Sequence, residues 1–287
     1  EEFWNSSWSK VVTDIVKEET EINYAEDRFD KLHEYACNPD NFWPQVRERI
    51  ANLPATFNTI KNSGKLVWLD HVEFVSDIPG KNDGNHGMED GGITTDSLIH
   101  LIKQAKTSID IQTPYLITTE ESRNLLEEAV AKGFKIRILT NSLASTDNVE
   151  AFSGYQRDRE ELLQTGIEVY EFRPDAAERT RIMTGELQAT LEHQPIFGLH
   201  AKSMVIDQET TVIGTFNLDP RSINLNTECI VIVRSKQVAE GVLRGMEEEF
   251  RPENSWRTTL DYNPDAEVNN VKRLKTWTRK VIPKKVL

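Results

Sequence analysis

The chain has 287 residues, a formal net charge of −13 at pH 7, 38% hydrophobic residues and 28% charged residues. Such a length allows one large or two small domains with a sizeable core, and such a composition excludes the disordered and fibrous classes. The acidic balance argues against broad nucleic-acid binding, because the non-specific part of that affinity comes from basic side chains that neutralise phosphates.

Neither a membrane span nor a leader is expected from the sequence. Its apolar runs fall short of the roughly 20 residues that cross a bilayer. The first residues, EEFW, do not form a basic and then apolar leader. The two cysteines, Cys37 and Cys229, are too few for a disulfide framework, and we expect free thiols in a reducing compartment.

Residues 1–94 are predicted to be a helical lead-in that ends in a strand and a Gly/Asp-rich loop. Apolar residues recur at helical spacing, and Pro54 is interpreted as the end of a helix. The predicted elements are helices at 27–35 and 42–53, a strand at 65–75 and a loop at 77–94. His86, Glu89 and Asp90 in that loop match no metal-ligand spacing, so no metal site is predicted there.

Residues 95–257 are predicted to form an α/β domain, because short β-rich runs alternate with helical segments. The predicted helices lie at 95–105, 120–132, 157–163 and 235–250, and the predicted strands at 108–113, 135–140, 167–172, 204–206, 211–213 and 229–233. This alternation indicates a mixed, largely parallel β-sheet flanked by helices on both faces. Residues 174–196 are polar and are expected to make a surface excursion.

Residues 258–287 are predicted to be a basic C-terminal tail. The last sixteen residues contain no acidic side chain, and their basic residues are Lys272, Arg273, Lys275, Arg279, Lys280, Lys284 and Lys285. Large apolar residues accompany them: Trp277, Val281, Ile282, Val286 and Leu287. Two interpretations stay open, an amphipathic segment on an anionic membrane surface and a solvated end of the chain.

The strongest candidate site residues are His200, Lys202 and Asn217. Two apolar, β-branched runs flank the polar turn at 207–209, a pattern typical of a β-hairpin. His200 and Lys202 are two apart on an extended chain and so share a side, and the hairpin brings Asn217 back beside them. An imidazole, an ammonium and a carboxamide suit a phosphoryl group, as nucleophile, counter-charge and hydrogen-bond donor respectively.

This stretch resembles the HKD motif of the phospholipase D superfamily. The match comprises, at the family's spacing, His200, Lys202, Asp207, Gly214, Thr215 in place of the commoner Ser, Asn217 and Glu228. The resemblance implies that Lys202, Thr215 and Asn217 bind the phosphate oxygens. It also implies that Glu228 holds the imidazole of His200 by its other nitrogen. Asp207, at the turn, is expected to make a structural ion pair rather than to touch phosphate.

Segments outside the motif narrow the resemblance. They are the PY pair at 114–115, the TNSL turn at 140–143, the G-Y-x-R-x-R segment at 154–159, the Y-E-F-R-P run at 170–174, FNLDPRSINLNTE at 216–228 and FWNSSW near the N-terminus. Together they are similar to the second half of bacterial cardiolipin synthases of the C type, over roughly residues 1–257. The resemblance therefore implies one of the two halves of a phospholipase D-like fold.

The family resemblance also implies a partner for the site. Members use two HKD motifs that face each other, whereas only His200 here has a lysine two positions on. We expect either an N-terminal half that carries the other motif or a second copy of this chain in a homodimer. The helical lead-in favours the first alternative.

The expected activity is phosphatidyl transfer without a metal or cofactor. The resemblance implies cardiolipin synthesis from phosphatidylglycerol and a second phospholipid through a phospho-histidine, at the cytoplasmic side of the bacterial inner membrane and peripheral to it. Two alternatives stay open. One is a nuclease that works as a homodimer, which the acidic charge disfavours, and the other is a non-catalytic half-domain that binds phospholipid or a partner.

Overall fold

The computed structural model describes residues 27–35, 38, 52–64, 66–81, 91–177 and 196–287. The chain divides into two compact units, residues 1–70 and 71–287. Several predictions concern residues outside the described ranges. They are most of the helix at 42–53, the part of the predicted loop at 82–90, the greater part of the 174–196 excursion, the FWNSSW segment and the state of Cys37. Cys229 is a free thiol.

The first unit contains helical segments. Residues 27–35 are helical, as predicted, and helix α1 spans Leu53–Asn62. The prediction that Pro54 ends a helix is wrong, because Pro54 lies in the first turn of α1. A proline fits there, since the first backbone N–H groups of a helix have no intrahelical partner.

The second unit is built on one eight-stranded sheet. The strands are β1 (Glu73–Ser76), β2 (Ser108–Gln112), β3 (Lys135–Asn141), β4 (Glu168–Phe172), β5 (Ser203–Ile206), β6 (Thr210–Gly214), β7 (Cys229–Arg234) and β8 (Ser255–Thr258). Their order across the sheet is β1-β7-β6-β5-β2-β3-β4-β8. The strand predicted at 65–75 is shorter and begins later in the sequence. Of the described residues in that stretch, those that belong to β1 pair with β7.

Helices complete this unit. They are α2 (Ile93–Gln104), α3 (Glu120–Ala131), α4 (Val149–Gln164), α5 (Pro220–Asn224), α6 (Lys236–Phe250) and α7 (Asn270–Arg279). Short 3₁₀ turns follow at Pro264–Glu267 and Lys284–Val286. Helix α4 begins eight residues before the predicted start, because the Asn148 side chain caps it by accepting a hydrogen bond from Ala151 N at 2.9 Å.

The mixed α/β class is confirmed, but the sheet is not largely parallel. Only β2–β3 and β3–β4 pair in parallel, and the other five strand pairs are antiparallel. Parallel strands need a helical crossover, which α3 and α4 supply. The turn between β5 and β6 instead reverses the chain directly, with Asp207 and Gln208 in the left-handed region at φ 54° and 58°.

The core lies on both faces of this sheet because strand side chains alternate. Ile109 and Ile111 point to the face covered by α2, α3 and α4. Leu139 and Val205 belong to a second buried cluster with Ala239 and other residues of α6 on the opposite face. The sheet is thus sandwiched between helices, which leaves the strand ends to carry chemistry.

A buried ionic network joins α4, β4 and the C-terminal segment. Arg159 donates to Glu171 at 3.1 Å and to Asp265 at 2.7 Å, and Tyr155 donates to Glu171 at 2.9 Å. Thr258 donates to the same carboxylate at 3.0 Å. Burial raises the pKa of Glu171 to about 7, although the Arg159 charge opposes this. The G-Y-x-R-x-R and Y-E-F-R-P segments therefore serve the fold.

We expect Glu171 to make the stability of the protein fall as pH rises from 4.5 to about 7. The unfolded carboxyl loses its proton near 4.5, whereas the folded one keeps it to about 7, so folding takes up a proton in this window. The unfolding free energy of Glu171→Gln minus that of wild type should increase by about 3 kcal/mol between pH 4.5 and pH 8. Urea denaturation at the two pH values measures this difference. The control is Glu168→Gln on the same strand, whose carboxylate is partly exposed. A pH-independent difference for Glu171→Gln contradicts the prediction.

Candidate active site

The β5–β6 hairpin sets the positions of the motif residues. Ser203 pairs with Ile213, and the backbone N–H of Gly214 donates to the carbonyl of Lys202 at 3.1 Å. This register carries the chain after β6 back towards His200. The predicted hairpin is confirmed, and His200, Lys202 and the segment after Gly214 meet at one end of the sheet.

His200 is solvent-exposed and follows a firmly held residue. The Asn141 carboxamide accepts from Leu199 N at 2.7 Å and donates to Leu199 O at 2.9 Å. Asn141 is itself buried and also accepts from Ser145 at 3.0 Å and donates to Pro114 O at 3.2 Å. Asn141 therefore positions the backbone before His200. The sequence showed only an asparagine after a buried strand, which ordinary turn chemistry explains equally well.

Lys202 is a half-buried cation with little local compensation. Its ammonium donates to the His200 carbonyl at 3.3 Å. Within the described part of the chain, no carboxylate lies within 4.0 Å of it. Burial lowers the pKa of Lys202, and the charges of Glu228, Asp219 and Asp147 act in the opposite direction. The site therefore holds a positive charge that is free to meet an anion.

Asn217 lies in the loop after β6, and the carbonyl oxygen of its side chain is unpaired. Its backbone N–H donates to Ser222 Oγ at 3.1 Å, which fixes the loop. Its side chain is only 9% exposed, and its Oδ1 atom has no hydrogen-bond partner among the described residues. A buried polar atom without a partner is costly and concentrates at functional sites.

Glu228 is buried, and its hydrogen bonds go to residues other than His200, the partner that the resemblance implied. Its carboxylate accepts from Thr215 Oγ, from Ser222 Oγ at 2.8 Å and from Asn226 Nδ2 at 3.2 Å. The structure records no hydrogen bond between the Glu228 carboxylate and the His200 ring. The Thr215 hydroxyl proton is accordingly directed at Glu228 rather than towards Lys202 or Asn217.

Asp77 supports the Glu228 loop and was missed by the sequence reasoning, which assigned it to a flexible loop. Its buried carboxylate accepts from Thr94 N at 2.9 Å, from Lys81 Nζ at 2.8 Å and from Glu228 N at 3.0 Å. Burial raises its pKa, but these hydrogen bonds outweigh burial and leave the pKa below its usual value. A β-carbon on Gly92 would lie 2.5 Å from this carboxylate, so glycine is needed there.

Asp207 is structural, but not through an ion pair. Its carboxylate accepts from the backbone N–H groups of Lys106 at 2.9 Å, Thr107 at 2.7 Å and Ser108 at 3.1 Å. Burial raises its pKa, and the backbone donors together hold it below the usual value. The third residue of the motif thus fastens the hairpin turn to the start of β2, at the opposite end of β5 from His200.

The loop after β2, which carries the PY pair, reaches the site. Leu116 bridges to Leu218 in parallel, and Ile117 N donates to Leu218 O at 2.7 Å. The Tyr115 hydroxyl lies 3.2 Å from an oxygen of Asp147, and burial raises the pKa of Tyr115 to about 12. The PY pair and the loop after β3 therefore lie at the same end of the sheet as the motif residues.

The described residues contain no group of three or more His, Cys, Asp or Glu side chains placed to hold a metal. His86, Glu89 and Asp90 lie outside them. Of the helices in the described part, none is both long and apolar enough to cross a bilayer.

An α/β sheet with an HKD-type site on one hairpin defines a phospholipase D-like domain. The sequence profile described as "Cardiolipin synthase, PLD-like domain" matches residues 98–250, just over half of the chain. The chain therefore belongs to this family.

Relatives agree with the assignment. Cardiolipin synthase C of Escherichia coli (strain K12) is 34% identical over 219 residues, which are 74% of this chain and 43% of that protein. Cardiolipin synthase 1 of Bacillus anthracis is 26% identical over 155 residues, which are 54% of this chain and 26% of that protein. The chain thus spans less than half the length of these curated relatives.

The fold is also similar to a solved structure, that of phosphatidylserine synthase from Haemophilus influenzae Rd KW20. The TM-score is 0.50 at 12% sequence identity, and the alignment covers 92% of this chain and 62% of the other. At this identity the likeness concerns the fold alone.

Gly214 of the motif is predicted to be required for folding. A β-carbon there would lie 2.8 Å from Ile230 Cα and closer still to Cys229 O, both of them backbone atoms of β7. Gly214→Ala should lower the unfolding free energy by about 2–3 kcal/mol, measured by urea denaturation. Gly245→Ala is the matched control, because nothing lies within 4 Å of its β-carbon position in α6. It should raise stability by about 0.5–1 kcal/mol. Equal effects of the two substitutions would refute the prediction.

Proposed function

We propose that this chain carries one half of a composite site that transfers a phosphatidyl group between alcohols, with cardiolipin as the product. The observation that carries this proposal is the Lys202 ammonium, which has no described carboxylate as an ion-pair partner, at the same end of the β5–β6 hairpin as the exposed His200 and the buried Asn217 side chain. The ammonium of Lys202 and the Nδ2 amide N–H of Asn217 can both donate hydrogen bonds to the non-bridging oxygens of a phosphodiester. The family's printed description and the cardiolipin synthase relatives support this class of substrate.

The reaction proceeds by two displacements at phosphorus. In the first, a nitrogen of the His200 imidazole attacks phosphorus, and the bond to the leaving glycerol oxygen breaks as a second acid protonates that oxygen. In the second, the acceptor hydroxyl loses its proton to the same group and attacks the phospho-histidine, which frees His200. Lys202 and Asn217 stabilise the charge that develops on the non-bridging oxygens. For cardiolipin to be the product, the acceptor hydroxyl would belong to the glycerol headgroup of phosphatidylglycerol, and the donor would be a second phospholipid, here another phosphatidylglycerol, whose glycerol leaves.

The remaining motif residues act indirectly in this proposal. Glu228 raises the pKa of Lys202 against the effect of burial and so favours the charged ammonium. Thr215 orients the Glu228 carboxylate. Asp207 fixes the hairpin turn. We infer that Asn141 positions His200 through the two hydrogen bonds to Leu199.

The second acid and base is proposed to come from a partner that carries another motif of this kind, either an N-terminal half or a second copy of this chain. An apolar sheet face next to the site supports a docking partner. Phe74 pairs with Val231, which pairs with Ile213, so the three side chains share one face. Phe74 is 66% exposed and Ile213 49% exposed. Large exposed apolar side chains beside a site favour an interface.

Asn217→Ala should lower the rate of transfer by roughly 10²–10³-fold in the complete two-motif enzyme, since one donor to a developing oxyanion is worth about that factor. The measurement is formation of cardiolipin from labelled phosphatidylglycerol. Asn270→Ala, an exposed asparagine at the start of α7, is the matched control and should leave the rate unchanged. A loss below tenfold for Asn217→Ala would remove the proposed role.

The same assay tests the overall function. The chain is measured alone at rising concentration and together with the separately expressed N-terminal half, and single-stranded DNA is offered in parallel. Activity that rises with the square of chain concentration supports a homodimer, and activity that needs the second half supports a split enzyme. Cleavage of DNA without lipid turnover contradicts the proposal and favours a nuclease. Lipid binding with no turnover in any arrangement favours a non-catalytic half-domain.

We also propose that the enzyme attaches peripherally to an anionic membrane, at the cytoplasmic side of the bacterial inner membrane. The basic C-terminal residues are folded rather than solvated along their length: Arg279 pairs with Glu150 at 3.0 Å, and Arg157 donates to Lys280 O at 3.0 Å. The opposite side of α7 presents an apolar ridge, 62–85% exposed, formed by Val271, Leu274, Trp277 and Val281. Lysines and arginines beside such a ridge suit an anionic lipid surface.

The double variant Trp277→Ser with Val281→Ser should weaken binding to phosphatidylglycerol-containing vesicles at least tenfold, because two apolar side chains would no longer enter the interface. Co-sedimentation measures this. The control pairs Trp68→Ser with Val67→Ser, two exposed apolar residues of the first unit. Wild-type binding should weaken with added salt and on phosphatidylcholine vesicles. Equal losses in the two double variants would speak against α7 as the contact.

A further inference from the structure

A cavity lies on the face of the sheet that α2, α3 and α4 cover. It has a volume of about 390 Å³, within the usual size range of small-molecule pockets, and lies between α2 and α3. Its walls and floor include Leu98, Ile102, Ile111, Leu125, Leu126 and Met204. Polar residues such as Lys103 and Glu121 are also among its lining residues. The feature is therefore an apolar cavity with a polar fringe rather than a broad apolar surface.

This cavity lies next to the candidate active site. A smaller cavity of about 30 Å³ is lined by Lys202 and Gly214 of the motif. The two cavities share five lining residues, namely Leu98, Ile111, Met204, Phe216 and Leu218. Phe216 and Leu218 flank Asn217 in sequence, so the segment that bears the catalytic amide also forms part of the apolar wall. The apolar cavity is therefore the neighbour of the cavity that Lys202 lines.

The arrangement of a cationic site beside an apolar cavity indicates what kind of ligand would fit both. A molecule that fits them carries an anionic oxygen at one end, opposite Lys202 and Asn217, and a flexible hydrocarbon that enters the cavity between α2 and α3. A hydrocarbon chain that covers the apolar part of this lining is removed from water, which stabilises the complex. Building on the proposed function, we propose that this cavity binds part of one acyl chain of the phospholipid whose phosphodiester lies at His200.

The proposal predicts that affinity depends on acyl-chain length. Each methylene that leaves water should strengthen binding roughly fourfold, until the cavity is filled. We would measure binding of phosphatidylglycerols with six- and eight-carbon chains, below their micelle concentrations, to the intact chain by calorimetry. Glycerophosphoglycerol, which has the headgroup and no chains, is the third ligand. The eight-carbon lipid should bind roughly fifteenfold more tightly than the six-carbon lipid.

Filling the cavity should abolish this dependence. Leu125 is a half-buried cavity residue of α3, and Leu125→Trp should bind the six- and eight-carbon lipids with affinities within about threefold of each other while glycerophosphoglycerol binds as in wild type. Ile99→Trp on the facing wall is a second variant in case the first fails to fold. Leu163→Trp is the matched control, a half-buried leucine of α4 outside the cavity, and should keep the wild-type dependence.

The outcomes separate this inference from the proposed function. Chain-length dependence that survives both cavity variants, or is lost equally in Leu163→Trp, overturns the inference. So does a cavity variant that changes only the oligomeric state, since the groove would then bind protein. Dependence that Leu125→Trp removes supports the inference even if the complete enzyme shows no lipid turnover, in which case only the transfer reaction is refuted.

Discussion

The attachment of the β5–β6 turn to the beginning of β2 is the constraint on which the site depends. The Asp207 carboxylate accepts three consecutive backbone N–H groups there, from Lys106 to Ser108. Side chains alternate along a strand, so a slip of one residue between β5 and its neighbours would turn every side chain to the opposite face. By fixing the register at one end of β5, Asp207 also fixes where His200 and Lys202 point at the other end.

Around that frame, long-range polar contacts bring the site segments together. Asn141 holds the residue before His200, and Asp77 holds the backbone of Glu228. Both are buried, and each makes hydrogen bonds to backbone atoms from distant parts of the chain as well as to nearby side chains. Such contacts fix the loops without using the side chains of His200, Lys202 and Asn217. In the proposed mechanism, the ammonium of Lys202 and the amide N–H of Asn217 are the groups that would meet the charge of a phosphoryl group.

The sequence was informative where local patterns decide the outcome. The hairpin, the positions of the motif and the alternation of strands and helices could be predicted from polar turns and β-branched runs, and β2, β3 and β4 are parallel as that alternation suggests. The antiparallel majority could not, because the pairing of β1 with β7 and of β8 with β4 joins segments far apart in sequence. Asp77 and Asn141 look like loop residues until their partners are known. The direction of the Glu228 carboxylate likewise depends on Ser222 and Asn226, which carry no recognisable signal.

The contact between Asp77 and Glu228 N has a practical meaning for anyone who trims this protein. The stretch that matches the family profile starts at residue 98, whereas Asp77 and β1 come earlier. A chain cut at the start of the profile would lack β1, the edge strand that pairs with β7. The backbone N–H and C=O groups of β7 would then be unpaired at the sheet edge, which favours aggregation through strand pairing. The same cut would also release the loop that carries the motif's glutamate. A shortened version could therefore be insoluble and inert for reasons unrelated to chemistry, and useful expression boundaries begin upstream of residue 71.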